Sequence, residues 1–218
     1  LVTQLRNPLL LRLFLETYGG RHLPGYLSRH DLFEEYLKHL AGKTGDEGRF
    51  LMGLARICME HRSASIDLDT LFQDPRTSET IRETRAGSAF KRLLRESVLI
   101  ESPDEDSPLI SFTVEAFLEH VAGKVMAEDG RAQKPEDLAQ VFAEAGEVSY
   151  LANACGVALR IRVQQEGDEY LYEFIDLEGE DSETIAGPVL GQLVLDAESP
   201  AKIAAELMAN PSLNDFAT

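Results

Sequence analysis

The chain has 218 residues and a mass of 24.2 kDa, enough to bury a core in one large domain or two smaller ones. With 44% apolar and 27% charged residues it has ordinary globular composition, and the apolar runs Pro8–Leu11 and Leu13–Leu15 are broken by Arg12 and Glu16 too soon to span a bilayer. A net charge of −17, from 21 basic and 38 acidic residues, repels phosphate backbones, so a nucleic-acid role would need a strong local basic patch.

The charge is unevenly spread. Residues 1–43 carry 6 Lys/Arg against 4 Asp/Glu, residues 44–130 carry 10 against 17, and residues 131–218 carry 5 against 17. These blocks are taken as three domains: a small helical segment, a central domain and an acidic helical arm. The two cysteines, Cys58 and Cys155, sit in apolar stretches and read as buried thiols in a reducing cytosol, with no disulfide expected. No signal-type apolar core and cleavage site follows Arg6, so a cytoplasmic location is expected, and the opening Leu1 suggests an excised piece.

Asn7 and Pro8, followed by Leu9, Leu10, Leu13 and Phe14, predict a helix that ends at Gly19-Gly20. Ser28 and Asp31 resemble a capping box ahead of the apolar face Leu32, Phe33, Tyr36, Leu37 and Leu40, which Gly42 should stop. A third helix is predicted from Asp46 to Arg62 through Phe50, Leu51, Leu54, Ile57 and Cys58. Ile66 to Phe72 reads as a short extended piece and a short helix, and Ser88 caps a helix that runs up to Ser97. The β-branched run Val98–Ser102, a polar turn from Pro103 to Pro108 and the run Leu109–Thr113 form a β-hairpin. Helix, short strand, helix, helix, hairpin is the order of a winged helix.

Val114, Phe117, Leu118, Val121 and Val125 mark a helix that leaves the hairpin and packs back on the block. Further helices are predicted from Pro135 and around Val148 to Leu159, and the last ones are separated by Gly179, Pro188 and Pro200. Val157, Leu159, Ile161 and Val163 alternate at strand period inside this helical window, so residues 157–163 leave helix and strand both open, with helix preferred for the Ala-rich flanks. The fold class is therefore mainly α: a helical lid, a winged helix with a small hairpin, then an α-solenoid-like region.

Signatures of catalysis are sparse. Gly42-Lys43-Thr44 carries the end of a phosphate-binding loop, but Leu37 stands where its first glycine belongs, and Lys43 reads as a helix C-terminal cation. No nucleophile elbow, zinc-binding His-Glu-x-x-His or Cys-x-x-Cys occurs, so catalytic and metal-ligating residues are not expected. His22, His30, His39, His61 and His120 are scattered and read as surface or capping residues; His30 and His39 fall on opposite sides of one helix. Nine Asp/Glu between Glu166 and Glu183 read as a solvated acidic face, with a basic-partner surface as the second reading; the interleaved Tyr170, Tyr172 and Phe174 read as core.

For the winged helix, charge decides the partner. Lys91, Arg92 and Arg95 on the recognition-helix candidate would permit phosphate contact. Glu101, Asp104, Glu105 and Asp106 would place four carboxylates against the nucleic-acid backbone. A protein-binding winged helix is preferred to a DNA-binding transcription regulator with a helical effector domain, and Arg92 and Arg95 are expected to pair with acids of this or a neighbouring domain.

Three stretches resemble the STAND-type NTPases of the NACHT branch, signal-transducing ATPases of immune and antiviral defence. Arg6-Asn7-Pro8-Leu9-Leu10-Leu11 is similar to the motif that opens their small helical domain, and Asp31–Leu37 to its second motif. Phe112–Ala122 is similar to their post-wing helix motif. The resemblance covers about residues 5–128. It implies that Pro8 packs on adenine, that ATP or ADP and magnesium bind the parent protein through a P-loop upstream of Leu1, and that this chain alone holds no nucleotide and is no enzyme. Val114 stands where the family places its phosphate-contacting histidine and has no hydrogen to donate. The implied partners are the upstream nucleotide-binding domain, a protein trigger and further copies during activation, with neither nucleic acid nor membrane.

Overall fold

The computed structural model describes residues 8–20, 28–43, 45–83, 87–145 and 148–178. The chain divides into two compact units, Leu1–Ala122 and Gly123–Thr218.

In the first unit, α1 (Pro8–Tyr18) packs against α2 (Arg29–Lys43). The expected capping box is present: Ser28 Oγ accepts from the Asp31 N–H at 3.1 Å, and Asp31 Oδ2 accepts from the Ser28 N–H at 3.0 Å. Helix α2 runs one residue past Gly42, so that glycine does not stop it, and the side chain of Lys43 lies outside the described residues. Next comes α3 (Asp46–His61), which buries Phe50, Leu51, Leu54, Ile57 and Cys58. It is followed by β1 (Ser65–Asp67) and α4 (Leu68–Gln73), whose N-cap Asp67 accepts from the Thr70 N–H at 2.7 Å.

Sequence periodicity misses α5 (Ser78–Arg82), a single turn with one buried residue, Ile81, and hence no repeat to detect. Helix α6 (Ala89–Arg95) starts at the Ser88 cap and ends two residues before the expected Ser97, which turns the chain with a φ of 53°. The hairpin β2 (Leu99–Ser102) and β3 (Leu109–Phe112) gains a third strand, because β1 also pairs antiparallel with β3; the order is β1-β3-β2. Helix α7 (Glu115–Glu128) begins in this unit and buries Phe117, Leu118, His120 and Val121.

The second unit holds the rest of α7 with α8 (Pro135–Ala145), α9 (Ser149–Glu166) and α10 (Asp168–Glu178), the last three packed on one another. Residues 157–163 are helical throughout. Helices α7 and α9 meet backbone to backbone: a Cβ on Gly123 would lie 2.5 Å from the Ala154 carbonyl oxygen. Arg162 donates to the Ala127 carbonyl at 2.7 Å and Tyr170 to the Ala132 carbonyl at 2.8 Å. Tyr170 and Phe174 are core, as expected; the side chain of Tyr172 and the helices expected around Pro188 and Pro200 lie outside the described residues. Among the described residues no helix is long and apolar enough to cross a membrane.

Candidate functional site

The side chains that sequence reasoning marked converge on the seam between α2 and α7. Apolar positions of α2 recur at helical spacing, which aims Phe33 and Tyr36 inward, and Phe117 and His120 stand three apart on α7 and share its buried face. The rings interlock: Phe33 and Phe117 have centroids 5.2 Å apart, Tyr36 and Phe117 5.8 Å, and Phe112 at the end of β3 meets Phe117 at 5.9 Å. Burial raises the pKa of the Tyr36 hydroxyl.

His120 corrects the reading of its type as a surface or capping residue. It is 1% exposed, its ring meets that of His30 edge-on at 4.7 Å, and its Nε2 lies 3.5 Å from Glu34 Oε2. The two histidines are ninety positions apart, so no local pattern pairs them; the readable signal was the spacing of His120 from Phe117 and Val121 on one apolar stripe. His39 turns away and stacks on Tyr36 instead.

Two charged contacts fasten α6. Arg92 Nε donates to Glu47 Oε1 at 2.5 Å, with the Glu47 side chain buried and that of Arg92 part-exposed, so this arginine finds the acid partner expected of it. Arg95 is exposed and has no ion-pair partner among the described residues. On α1, Arg12 donates to Glu16 at 2.6 Å and also to the carbonyl of Glu96, where α6 ends; a guanidinium there complements the negative end of the helix. The Glu16 carboxylate holds the Arg12 pKa above its usual value.

An open groove of about 870 Å³ lies beside α5, lined by Asp46, Arg49, Arg76, Glu79 and Arg82 among others. Its cations are largely spent within the chain: Arg49 pairs with Asp46, and Arg76 with Glu60 and Asp74. The thiol of Cys58 is pushed up to about 12 by burial, which keeps it protonated and unreactive at neutral pH. Cys155 is likewise buried, its Sγ 4.0 Å from Met126 Sδ. Among the described residues no three His, Cys, Asp or Glu side chains gather as a metal site. Pro8 opens α1, but the adenine contact expected of its side chain falls outside the described residues. Val114 is half-buried just ahead of α7.

Comparison with protein-family models, curated proteins and solved structures finds no match to this chain.

Proposed function

We propose that this chain is the lid, winged-helix and helical-arm segment of a STAND-type ATPase of the NACHT branch, the regulatory and oligomerisation part of a nucleotide-dependent switch in immune or antiphage defence. One observation carries the reading. Two stretches that resemble the family's motifs, Asp31–Leu37 and Phe112–Ala122, lie far apart in sequence and meet through Phe33, Tyr36 and Phe117. The sheet order β1-β3-β2, with α4, α5 and α6 between its first and second strands, supports the winged-helix part of this reading.

Such a segment works by population shift. It packs against an upstream nucleotide-binding domain in one state and leaves it in another, and ATP or ADP with magnesium in that domain biases the two states by differential contacts. Pro8 would touch adenine, and residues 131–218 would begin the arm that receives a protein trigger. The ring cluster between α2 and α7 supports this because it lets the lid segment and the winged block move as one body. The acid-tipped hairpin and the engagement of Arg92 by Glu47 both weigh against the DNA-reading alternative.

The test is nucleotide binding and assembly by the natural protein that contains this sequence. Calorimetry should show adenine-nucleotide binding, and mass photometry a change of assembly state on activation. Absence of both overturns the proposal, as does a salt-dependent shift of duplex DNA by the chain at physiological ionic strength.

A further inference from the structure

All five histidines of the chain fall in the first unit, and two of them meet at the seam between α2 and α7. His30 and His120 lie edge-on with ring centroids 4.7 Å apart. His120 is 1% exposed and His30 half-buried, and the Phe33 ring stands 5.6 Å from that of His120. One carboxylate is close: Glu34 Oε2 lies 3.5 Å from His120 Nε2, and Glu34 sits one helical turn beyond His30 on α2.

The remaining charges nearby have other tasks. Along α2, Arg29 is exposed and Asp31 is held by Ser28; along α7, Glu119 precedes His120 and Lys124 lies 3.5 Å from Glu128. Helix α1 brings Arg12 and Glu16 to Tyr36 instead, and α3 gives Glu47 to Arg92. A proton on one of the two rings can therefore be balanced by Glu34. A second proton would set two imidazolium rings edge to edge with a single carboxylate between them, and like charges so close resist joint ionisation.

We propose that this histidine pair makes the α2–α7 seam a proton-operated latch, closed with one proton or none on the two rings and opened by the second. In the open state the rings take protons independently, near the ordinary histidine value of about 6.5. Below that value the open state binds two protons and the closed seam one. Linkage then raises the opening equilibrium by up to about tenfold for each pH unit, until the closed seam is forced to take the second proton. Glu34, Asp31 and Glu119 stay ionised over this interval, because ordinary carboxylates titrate about two units lower. The latch does not depend on the nucleotide-switch reading.

The experiment follows the full 218-residue chain between about pH 7.5 and pH 5, the interval of histidine titration, with a chelator present. Nuclear magnetic resonance of the imidazole protons should show His30 and His120 titrating in two separated steps. Hydrogen exchange, corrected for the intrinsic rate at each pH, should lose about tenfold or more of its protection in residues 32–40 and 117–121. Helices α8 to α10 contain no histidine and serve as the unchanged reference. His30→Phe keeps a ring but removes the second proton, so its protection should hold across the interval. Glu34→Gln removes the balancing charge and should open the seam at a higher pH than the parent chain, with an unchanged far-ultraviolet spectrum at the starting pH as the check on folding. Independent titration of both rings at the ordinary value overturns the proposal. So does an undiminished acid response in His30→Phe, or the absence of any response in the parent chain.

Discussion

The two units fill their interiors in different ways. The first is built on rings: Phe33 with Phe117, Phe50 with Phe90 and Phe112 with Phe117 lie 5.2, 5.5 and 5.9 Å apart. The second also buries Tyr150, Tyr170 and Phe174, but where α7 and α9 meet it places small residues, Gly123, Ala154 and Cys155. Interlocking rings stabilise through area and shape and leave the backbones apart. Small residues stabilise by letting backbones touch, so that one methyl group too many has no room.

Substitutions in both units sharpen or break this contrast. Phe117→Ala should cost about 3–5 kcal/mol in urea denaturation, the range for an excavated aromatic site, because this ring joins α2, β3 and α7. Glu47→Ala should cost about 2–3 kcal/mol by stranding Arg92, and adding Arg92→Leu should recover part of that loss. Gly123→Ala tests the second unit. Its gain in helix propensity of about 1 kcal/mol should be outweighed by overpacking of about 1–3 kcal/mol, seen as lost hydrogen-exchange protection in α8 to α10. A stabilised variant would show that the backbones can part and would dissolve the contrast.

The smallest effect concerns a cap. Asp67→Ala should cost about 1 kcal/mol. The Thr70 N–H holds the Asp67 carboxyl below its ordinary pKa, so its contribution is complete above the unfolded value of about 3.9 and disappears as the pH falls through the lower folded value. Asp67→Asn keeps an acceptor for Thr70 but removes the titration, so its denaturation midpoint should fall less than that of the parent chain between about pH 5 and pH 2.

The same contrast explains how far the sequence could be read. Elements with local chemistry at their ends were legible: Ser28 with Asp31 marked the start of α2, and Ser88 that of α6. The alternation of Val157, Leu159, Ile161 and Val163 was ambiguous because the buried face of α9 runs through Ala154, Cys155 and Ala158 between its larger members Leu151 and Leu159, and such small residues mark a helical face weakly. The acidic hairpin loop was legible, since four carboxylates so close together stay in water. The meeting of His30 with His120, and of Glu47 with Arg92, was not: each joins residues on different helices, and only the folded chain selects the partner.

Arg62 and Ser97 end α3 and α6 in the left-handed region, with φ of 52° and 53°, where a side chain is strained and glycine is not. Glycine at each site should raise thermal tolerance by about 1 kcal/mol apiece, less the entropy that glycine adds to the unfolded chain. The chain therefore holds headroom against heat at two exposed turns, where an engineer could begin without replacing any ring of the seam.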